Sequence, residues 1–135
     1  MLPDIDNNHI LILEDEPVIG KILKRALTAD GYRVEIAENG LIAKEKISSG
    51  SRYDAVVLDI RTPVISGIQL YEYLEKQHPG LAEKVIFATG DYLNPATGRF
   101  LEHVRRPFLA KPYTPAQIKG MIQQVIAGSR PADEG

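Results

Sequence analysis

The residues best suited to chemistry in this sequence are polar side chains that directly follow apolar runs. One run of aliphatic residues ends at Asp59, and another ends at Glu14 and Asp15. Two further runs end at Thr89 and Lys111. Such runs are typical of strands buried on both faces of a parallel sheet, where a carboxylate is costly unless it is used or paired. Because ligands bind beyond the carboxyl ends of parallel strands, we predict that these five side chains form an active site at one edge of a sheet.

The three acids of this predicted cluster need positive charge close by, because neighbouring carboxylates repel one another and raise each other's pKa values. Magnesium suits an open acidic cluster, since it takes one or two carboxylates together with phosphate oxygens and keeps several waters; manganese is the alternative ion. Lys111 adds a fixed positive charge, and Thr89 adds a hydroxyl donor. A carboxylate can act as a nucleophile and form an aspartyl phosphate, so the cluster predicts a phosphoryl site on Asp59.

Each of these residues also has a structural interpretation when it is taken alone. An isolated Asp59 is more often an ion-paired residue at a strand end than a nucleophile. The acids at positions 14–16 would also be favourable at the start of a helix, through the helix dipole. Thr89 suits a simple strand exit, and Lys111 can be a solvated lysine before a proline. Their joint occurrence at strand ends favours the functional interpretation.

The composition limits the classes to which this chain can belong. A length of 135 residues suits one domain, and the absence of cysteine excludes disulfides, zinc-thiolate sites and cysteine nucleophiles. The formal net charge is −2, so no overall positive field attracts nucleic acid or an anionic membrane. No apolar stretch reaches the roughly 20 residues that span a bilayer, and the N-terminus lacks the pattern of a signal peptide. We expect a cytoplasmic domain without direct contact to nucleic acid or membrane.

Strand and helix patterns alternate along the chain, which predicts an α/β fold with a parallel sheet covered by helices. The predicted strands are residues 9–14, 32–37, 53–59, 84–89 and 108–111. The predicted helices begin at Pro17, at Asn39-Gly40, after the loop 60–66, at Asn94-Pro95 and at Thr114-Pro115. Pro79-Gly80 is predicted to break the third helix.

The first predicted helix carries a stripe of apolar residues that we expect to face the core. The stripe consists of Val18, Ile19, Ile22, Leu23, Ala26 and Leu27. No internal repeat or second domain is apparent. The domain is predicted to span residues 8–127, and residues 128–135 are predicted to form a polar tail or linker.

Four short motifs occur in order at the predicted strand ends. They are Leu13-Glu14-Asp15-Glu16, Val57-Leu58-Asp59-Ile60-Arg61-Thr62-Pro63 with Gly67 behind it, Ala88-Thr89-Gly90, and Ala110-Lys111-Pro112. Each motif is weak alone, but in this order and spacing they resemble the receiver domains of two-component response regulators over residues 8–127. The resemblance implies a doubly wound, flavodoxin-like (βα)5 fold with three layers and a parallel sheet of order 2-1-3-4-5.

The resemblance also implies roles in phosphoryl transfer. Asp59 would be the phosphoacceptor, and Thr89 and Lys111 would contact the phosphoryl group. The Lys111-Pro112 bond is expected to be cis. Thr89 and Phe108 would form the conformational switch, and because Phe108 lacks the hydroxyl of a tyrosine, packing alone would govern its movement.

The metal ligands are implied in the same way. Asp15 and Asp59 would bind magnesium directly, Glu14 would contribute through water, and Arg61 would contribute its backbone carbonyl. Glu14 departs from the aspartate that is more common in the family, so its extra methylene is expected to alter how water and metal are held.

Two charged residues are expected to tune dephosphorylation. Arg61 and Asp91 lie two residues beyond Asp59 and Thr89, at positions that line the path of the hydrolytic water in the family. Their opposite charges suggest a contact across the phosphoryl site. We expect that contact to slow the entry of water and to lengthen the phosphorylated lifetime.

The expected function is that of a phosphoacceptor receiver in a two-component phosphorelay. The domain would accept its phosphoryl group from a histidine kinase or a histidine phosphotransfer domain, catalyse its own phosphorylation and dephosphorylation, and change its surface for a downstream protein. The stretch 89–112 also resembles receivers of hybrid sensor histidine kinases, and a fragment of such a kinase is slightly favoured. The alternatives are a magnesium-dependent phosphohydrolase, which would need an acid where Arg61 stands, and a pseudo-receiver that only binds a partner.

Overall fold

The computed structural model describes residues 8–62 and 64–128, in which five strands alternate with helices. The strands are β1 (His9–Leu13), β2 (Arg33–Ala37), β3 (Ala55–Asp59), β4 (Val85–Thr89) and β5 (Phe108–Ala110). The helices are α1 (Pro17–Ala29), α2 (Gly40–Ser48), α3 (Gly67–Gln77), α4 (Pro79–Ala82), α5 (Pro95–Val104) and α6 (Pro115–Gly128). The predicted alternation is confirmed. Pro63 and residues 129–135 of the predicted tail lie outside the described residues. Gly128, which was predicted to begin that tail, is instead the last residue of α6.

The five strands form one parallel sheet in the order β2-β1-β3-β4-β5, which confirms the predicted fold class and strand order. Leu13 pairs with Leu58, so the next residues, Glu14 and Asp59, lie side by side. Thr89 pairs with Ala110 on the other side of β3. All strands therefore end at one edge of the sheet. The chain adds β2 on one side of β1 and then β3, β4 and β5 on the other, so the strand order reverses at β1, and ligands bind at such a point.

The sheet is buried on both faces, as three layers require. In β1 all five residues are buried, and its alternate side chains enter two separate core clusters. One cluster packs against α2, α3 and α5, and the other packs against α1 and α6. No helix of the described residues is long and apolar enough to cross a membrane.

Helix α1 corrects part of the predicted apolar stripe. Leu23 and Leu27 are buried, but Val18 and Ile22 are 69% and 53% exposed. The buried face of α1 includes Gly20, where an added Cβ would lie 3.2 Å from a methyl group of Ile36. At 100° per residue, Val18 and Ile22 lie about 100° or more around the helix from the buried leucines. Because the helix packs on β2 through Gly20, that other side faces solvent.

Helix α4 is a single turn that the sequence analysis did not predict. Pro79 was expected only to break the third helix, and α3 does end at Gln77. The same proline then occupies the first turn of α4, where its missing N–H group is not needed. A proline can thus end one helix and begin the next.

The loop between β3 and α3 is held tightly against the site by a glycine. A Cβ atom on Gly67 would overlap the carbonyl oxygen of Asp59, and the Gly67 amide donates to the Ile60 carbonyl at 3.2 Å. Thr62 Oγ1 donates to the Ile65 carbonyl at 3.2 Å. Val64 has a φ of 73°, in the left-handed region that favours glycine and disfavours β-branched residues. At Gly67 the backbone therefore passes too close to Asp59 for a side chain.

Because the Asp59 backbone lies so close to Gly67, we predict that a methyl group at position 67 strongly lowers stability. Gly67→Ala should lower the free energy of unfolding by about 1–3 kcal/mol, since backbone atoms must move to admit the Cβ. Gly120→Ala in α6 is the matched control. Its Cβ meets no atom within 4 Å, and alanine favours the helix, so it should raise stability by about 0.5–1 kcal/mol. Urea denaturation measures both; equal stability of Gly67→Ala and the parent would contradict the packing described.

Candidate functional site

Asp59 ends β3 at the centre of the sheet edge and is 5% exposed. Its Oδ1 atom accepts a hydrogen bond from the Arg61 amide at 3.1 Å, and its Oδ2 atom accepts one from Lys111 Nζ at 2.7 Å. These two bonds fix the orientation of the carboxylate. Both of its oxygens remain at the rim of the sheet, where a ligand would approach.

Glu14 and Asp15 complete the acidic cluster that the sequence predicted. Glu14 is 2% exposed, and its Oε2 atom accepts from the Glu16 amide at 3.1 Å, whereas Asp15 is exposed. One carboxylate oxygen from each of Glu14, Asp15 and Asp59 lies within 4.8 Å of the others. Three oxygen donors, one of them open to solvent, fit a hard divalent cation that keeps part of its water shell.

Lys111 is the cation that links the two buried acids. Its Nζ atom lies 2.7 Å from Asp59 Oδ2 and 3.5 Å from Glu14 Oε1. The backbone places it there, because its amide donates to the Thr89 carbonyl at 2.8 Å and the expected cis bond to Pro112 is confirmed. Burial alone would lower the pKa of Lys111, but the hydrogen bond and charge of Asp59, followed by the charge of Glu14, raise it. Lys111 is therefore charged near neutral pH.

Thr89 ends β4 and is 1% exposed. Its Oγ1 atom accepts a hydrogen bond from the Asp91 amide at 2.9 Å. The hydroxyl proton is thus left to be donated elsewhere. Thr89 is attached in this way to the loop that carries Asp91, so a movement of one is coupled to the other.

The predicted contact between Arg61 and Asp91 is confirmed. Arg61 Nη2 donates to Asp91 Oδ2 at 2.6 Å. The Arg61 side chain is 71% exposed, so the ion pair lies in solvent at the outer rim of the site. It joins the loop that follows β3 to the loop that follows β4.

Phe108 begins β5 and Tyr113 follows the Lys111-Pro112 pair, and only Phe108 was singled out from the sequence. Phe108 is 40% exposed, and its ring centroid lies 6.5 Å from that of Tyr92. Tyr113 was missed, although it directly follows the Lys111-Pro112 pair. Burial, followed by the charge of Glu14, raises the pKa of Tyr113 to about 12. The signal that could have found it is its position immediately after the cis bond.

Comparisons with known proteins agree on one kind of domain. A family model described as the response regulator receiver domain matches residues 10–123. Response regulator MprA of Mycobacterium avium is 27% identical over 126 residues, which are 93% of this chain and 54% of that protein. The chain spans about half the length of the curated relatives it matches.

Solved structures are similar over nearly the whole chain. A response regulator receiver domain protein from Methanospirillum hungatei has a TM-score of 0.81 and 28% identity, covering 95% of this chain and 98% of that one. The receiver domain of a sensor histidine kinase from Pseudomonas aeruginosa has a TM-score of 0.78 and 29% identity, covering 90% and 98%. That second structure has a magnesium ion coordinated in its active site cleft.

The burial of Glu14 predicts how the stability of the fold depends on pH. Burial is the main reason that the pKa of Glu14 lies above its usual 4.5, so the folded protein holds this proton more tightly than the unfolded chain does. The contribution of Glu14 to stability is present at low pH and is lost as pH rises from 4.5 through the folded-state pKa. In metal-free protein, Glu14→Gln should therefore raise the free energy of unfolding near neutral pH and flatten its decline with pH.

Urea denaturation in the presence of a chelator, repeated from about pH 5 to about pH 8, measures this effect. Glu16→Gln, at an exposed neighbouring position, is the control and should leave the pH profile unchanged. A Glu14→Gln protein that is less stable than the parent across the whole range would contradict the cost assigned to the buried charge.

Proposed function

The chain belongs to the response regulator receiver domain family, and we propose that Asp59 is the residue of this domain that accepts the phosphoryl group. The observation that carries the proposal is the position of Asp59, whose Oδ2 atom lies 2.7 Å from Lys111 Nζ within a cluster of three acids. We place the domain at residues 8–127. It is a signalling domain of the two-component class.

In the proposed reaction, a carboxylate oxygen of Asp59 forms a bond to phosphorus while the phosphorus–nitrogen bond of a phosphohistidine breaks. The electron pair of that bond remains on the imidazole, which then takes up a proton. The transfer requires alignment and the neutralisation of the phosphoryl oxygens more than acid–base chemistry. Lys111 is suited to this role, because its ammonium can move from the Asp59 carboxylate to a phosphoryl oxygen bound at the same place.

Magnesium fits the acidic cluster of this site. Asp15, Asp59 and the Arg61 carbonyl would hold the ion directly, and Glu14 would hold it through water, with manganese as the alternative ion. When bound, the ion supplies positive charge to the phosphoryl oxygens and offsets the repulsion of the acids. The magnesium ion in the cleft of the similar receiver from Pseudomonas aeruginosa supports this assignment.

The proposed switch consists of Thr89 and Phe108. A phosphoryl group on Asp59 offers charged acceptors for the Thr89 hydroxyl proton, so Thr89 and the attached Asp91 loop would move toward it. Phe108 would then repack according to the space left beside Tyr92. The new surface would be the one presented to a downstream protein.

The proposed donors are a histidine kinase or a histidine phosphotransfer domain, and the domain would catalyse its own phosphorylation and dephosphorylation. Two kinds of similar protein are relevant to the question of which longer protein contains this domain. Receivers of sensor histidine kinases and full-length response regulators both match this chain. We favour a receiver of a hybrid kinase, on the resemblance of residues 89–112.

Intact mass spectrometry tests the phosphoacceptor. The parent protein, incubated with magnesium and a small-molecule phosphodonor, should gain the mass of one phosphoryl group, and Asp59→Asn should not. Asp54→Asn, a control acid near the opposite end of β3, should be phosphorylated like the parent. A phosphorylated species that persists in Asp59→Asn would refute the proposed acceptor.

The ion pair between Arg61 and Asp91 predicts an effect on the phosphorylated lifetime. Arg61→Ala should dephosphorylate up to about fivefold faster, because an exposed ion pair contributes up to about 1 kcal/mol and its loss opens the path for water. Asp91→Ala should have a similar effect, whereas Arg99→Ala, exposed on α5, should have none. Loss of the phosphorylated mass with time gives the rates; an unchanged rate in Arg61→Ala would rule out this role.

A further inference from the structure

Thr62 is a buried polar residue to which the proposed reaction assigns no role. It lies in the loop between β3 and α3, and only 9% of the residue is exposed. Its Oγ1 atom donates to the Ile65 carbonyl oxygen at 3.2 Å, so the hydroxyl links two positions that are three residues apart. Such a bond is costly to lose, because the acceptor then loses its donor.

The Ile65 carbonyl is also the group at which α2 meets this loop. Gly40 is the first residue of α2, and a Cβ atom at this position would overlap the Ile65 carbonyl oxygen. The Ile65 side chain packs against the core cluster on the same face of the sheet. The Thr62 hydroxyl and the backbone of α2 therefore contact the same peptide group.

The hydrogen bond between Thr62 and Ile65 spans a residue in an unfavourable conformation. Val64 has a φ of 73°, where a β-branched side chain is disfavoured, and such a conformation persists only where neighbouring contacts hold it. The Val64 side chain is 72% exposed, so its own packing contributes little. Without the Thr62 hydroxyl, we expect the loop to leave this conformation more often.

The conformation of Thr62 also sets the direction of the Arg61 carbonyl. The peptide bond is planar, so the Arg61 carbonyl and the Thr62 amide share one plane. The Arg61 amide donates to Asp59 Oδ1 at 3.1 Å. Just before it, the Ile60 amide donates to the Ala88 carbonyl at 2.9 Å. The backbone of Arg61 is thus placed by bonds to the sheet on one side and by Thr62 on the other.

We propose that Thr62 is a positioning residue for the magnesium site. Its bond to Ile65 keeps the loop in the conformation that directs the Arg61 backbone toward Asp59 and the metal. This inference rests on the proposed function, in which the Arg61 carbonyl is a metal ligand, and Thr62 acts through Arg61. If only a fraction of the molecules has the competent loop, the apparent affinity for the ion falls by that fraction.

Titration of the full chain with magnesium, followed by ¹H–¹⁵N NMR, tests this role. Thr62→Val removes the hydroxyl and keeps the shape of the side chain. Its dissociation constant for magnesium should be about three- to tenfold higher than that of the parent, the range that one hydrogen bond supports. Thr62→Ser keeps the hydroxyl and should stay within about twofold of the parent.

The same spectra give a signature that does not depend on the metal. Before magnesium is added, the Arg61 amide proton should resonate upfield in Thr62→Val, because its bond to Asp59 Oδ1 is formed less often. In Thr62→Ser this proton should resonate as in the parent.

The rate of phosphorylation by a small-molecule phosphodonor separates positioning from a general loss of stability. With magnesium well below its dissociation constants, Thr62→Val should gain the phosphoryl mass about three- to tenfold more slowly than the parent. At saturating magnesium its rate should approach that of the parent, because the competent loop is favoured when the ion is bound.

Tyr73→Phe is the matched control. It removes a hydroxyl of α3 that lies 2.8 Å from Ser48 Oγ, in the last residue of α2, and 3.3 Å from His78 Nε2, directly after α3. These contacts have no link to the Arg61 backbone. The Tyr73→Phe protein should therefore bind magnesium like the parent.

Three results would overturn the role of Thr62. The first is a Thr62→Val protein that binds magnesium as tightly as the parent. The second is a Thr62→Ser protein that binds as weakly as Thr62→Val. The third is equally weak binding by Tyr73→Phe, which would trace the effect to stability. The proposed function fails separately, if the parent chain neither binds magnesium nor gains a phosphoryl group.

Discussion

The structure depends on the balance of charge between Lys111 and the two buried acids at the carboxyl edge of the sheet. The parallel register brings Glu14 and Asp59 side by side, and both are removed from most of the solvent. Burial makes the ionised form of Glu14 costly, as the direction of its pKa shift indicates. Lys111 contacts both carboxylates and partly offsets this cost, but within residues 8–62 and 64–128 no cation pairs with the exposed acid Asp15. The remaining negative charge is what fits the site to a divalent ion.

The surrounding loops are arranged so that this balance can be changed by a ligand. The absence of a side chain at Gly67 lets the start of α3 approach the Asp59 carbonyl closely. On the other side, the Asp91 amide donates to Thr89 Oγ1 at 2.9 Å, and the ion pair with Arg61 joins the Asp91 loop to the loop after β3. A group bound at Asp59 can therefore act on both loops through these contacts.

Much of the fold and the site could be predicted because the relevant signals are local in sequence. The apolar runs and the polar residues that end them identified the strands and their functional edge, and opposite charges at equivalent positions anticipated the contact between Arg61 and Asp91. The exposure of Val18 and Ile22 could not be predicted, because it depends on how Gly20 meets Ile36 across the α1–β2 packing.

The exposed position of the pair between Arg61 and Asp91 makes it sensitive to the salt concentration around the protein. Dissolved ions screen the interaction of exposed charges over a length of about 8–10 Å at ordinary ionic strength, and this length shortens as salt rises, so a solvent-exposed pair is weakened. If this pair restrains water, the duration of the phosphorylated signal becomes shorter in a concentrated ionic medium and longer in a dilute one. The chain would then carry an osmotic dependence in the timing of its response, without any dedicated sensor.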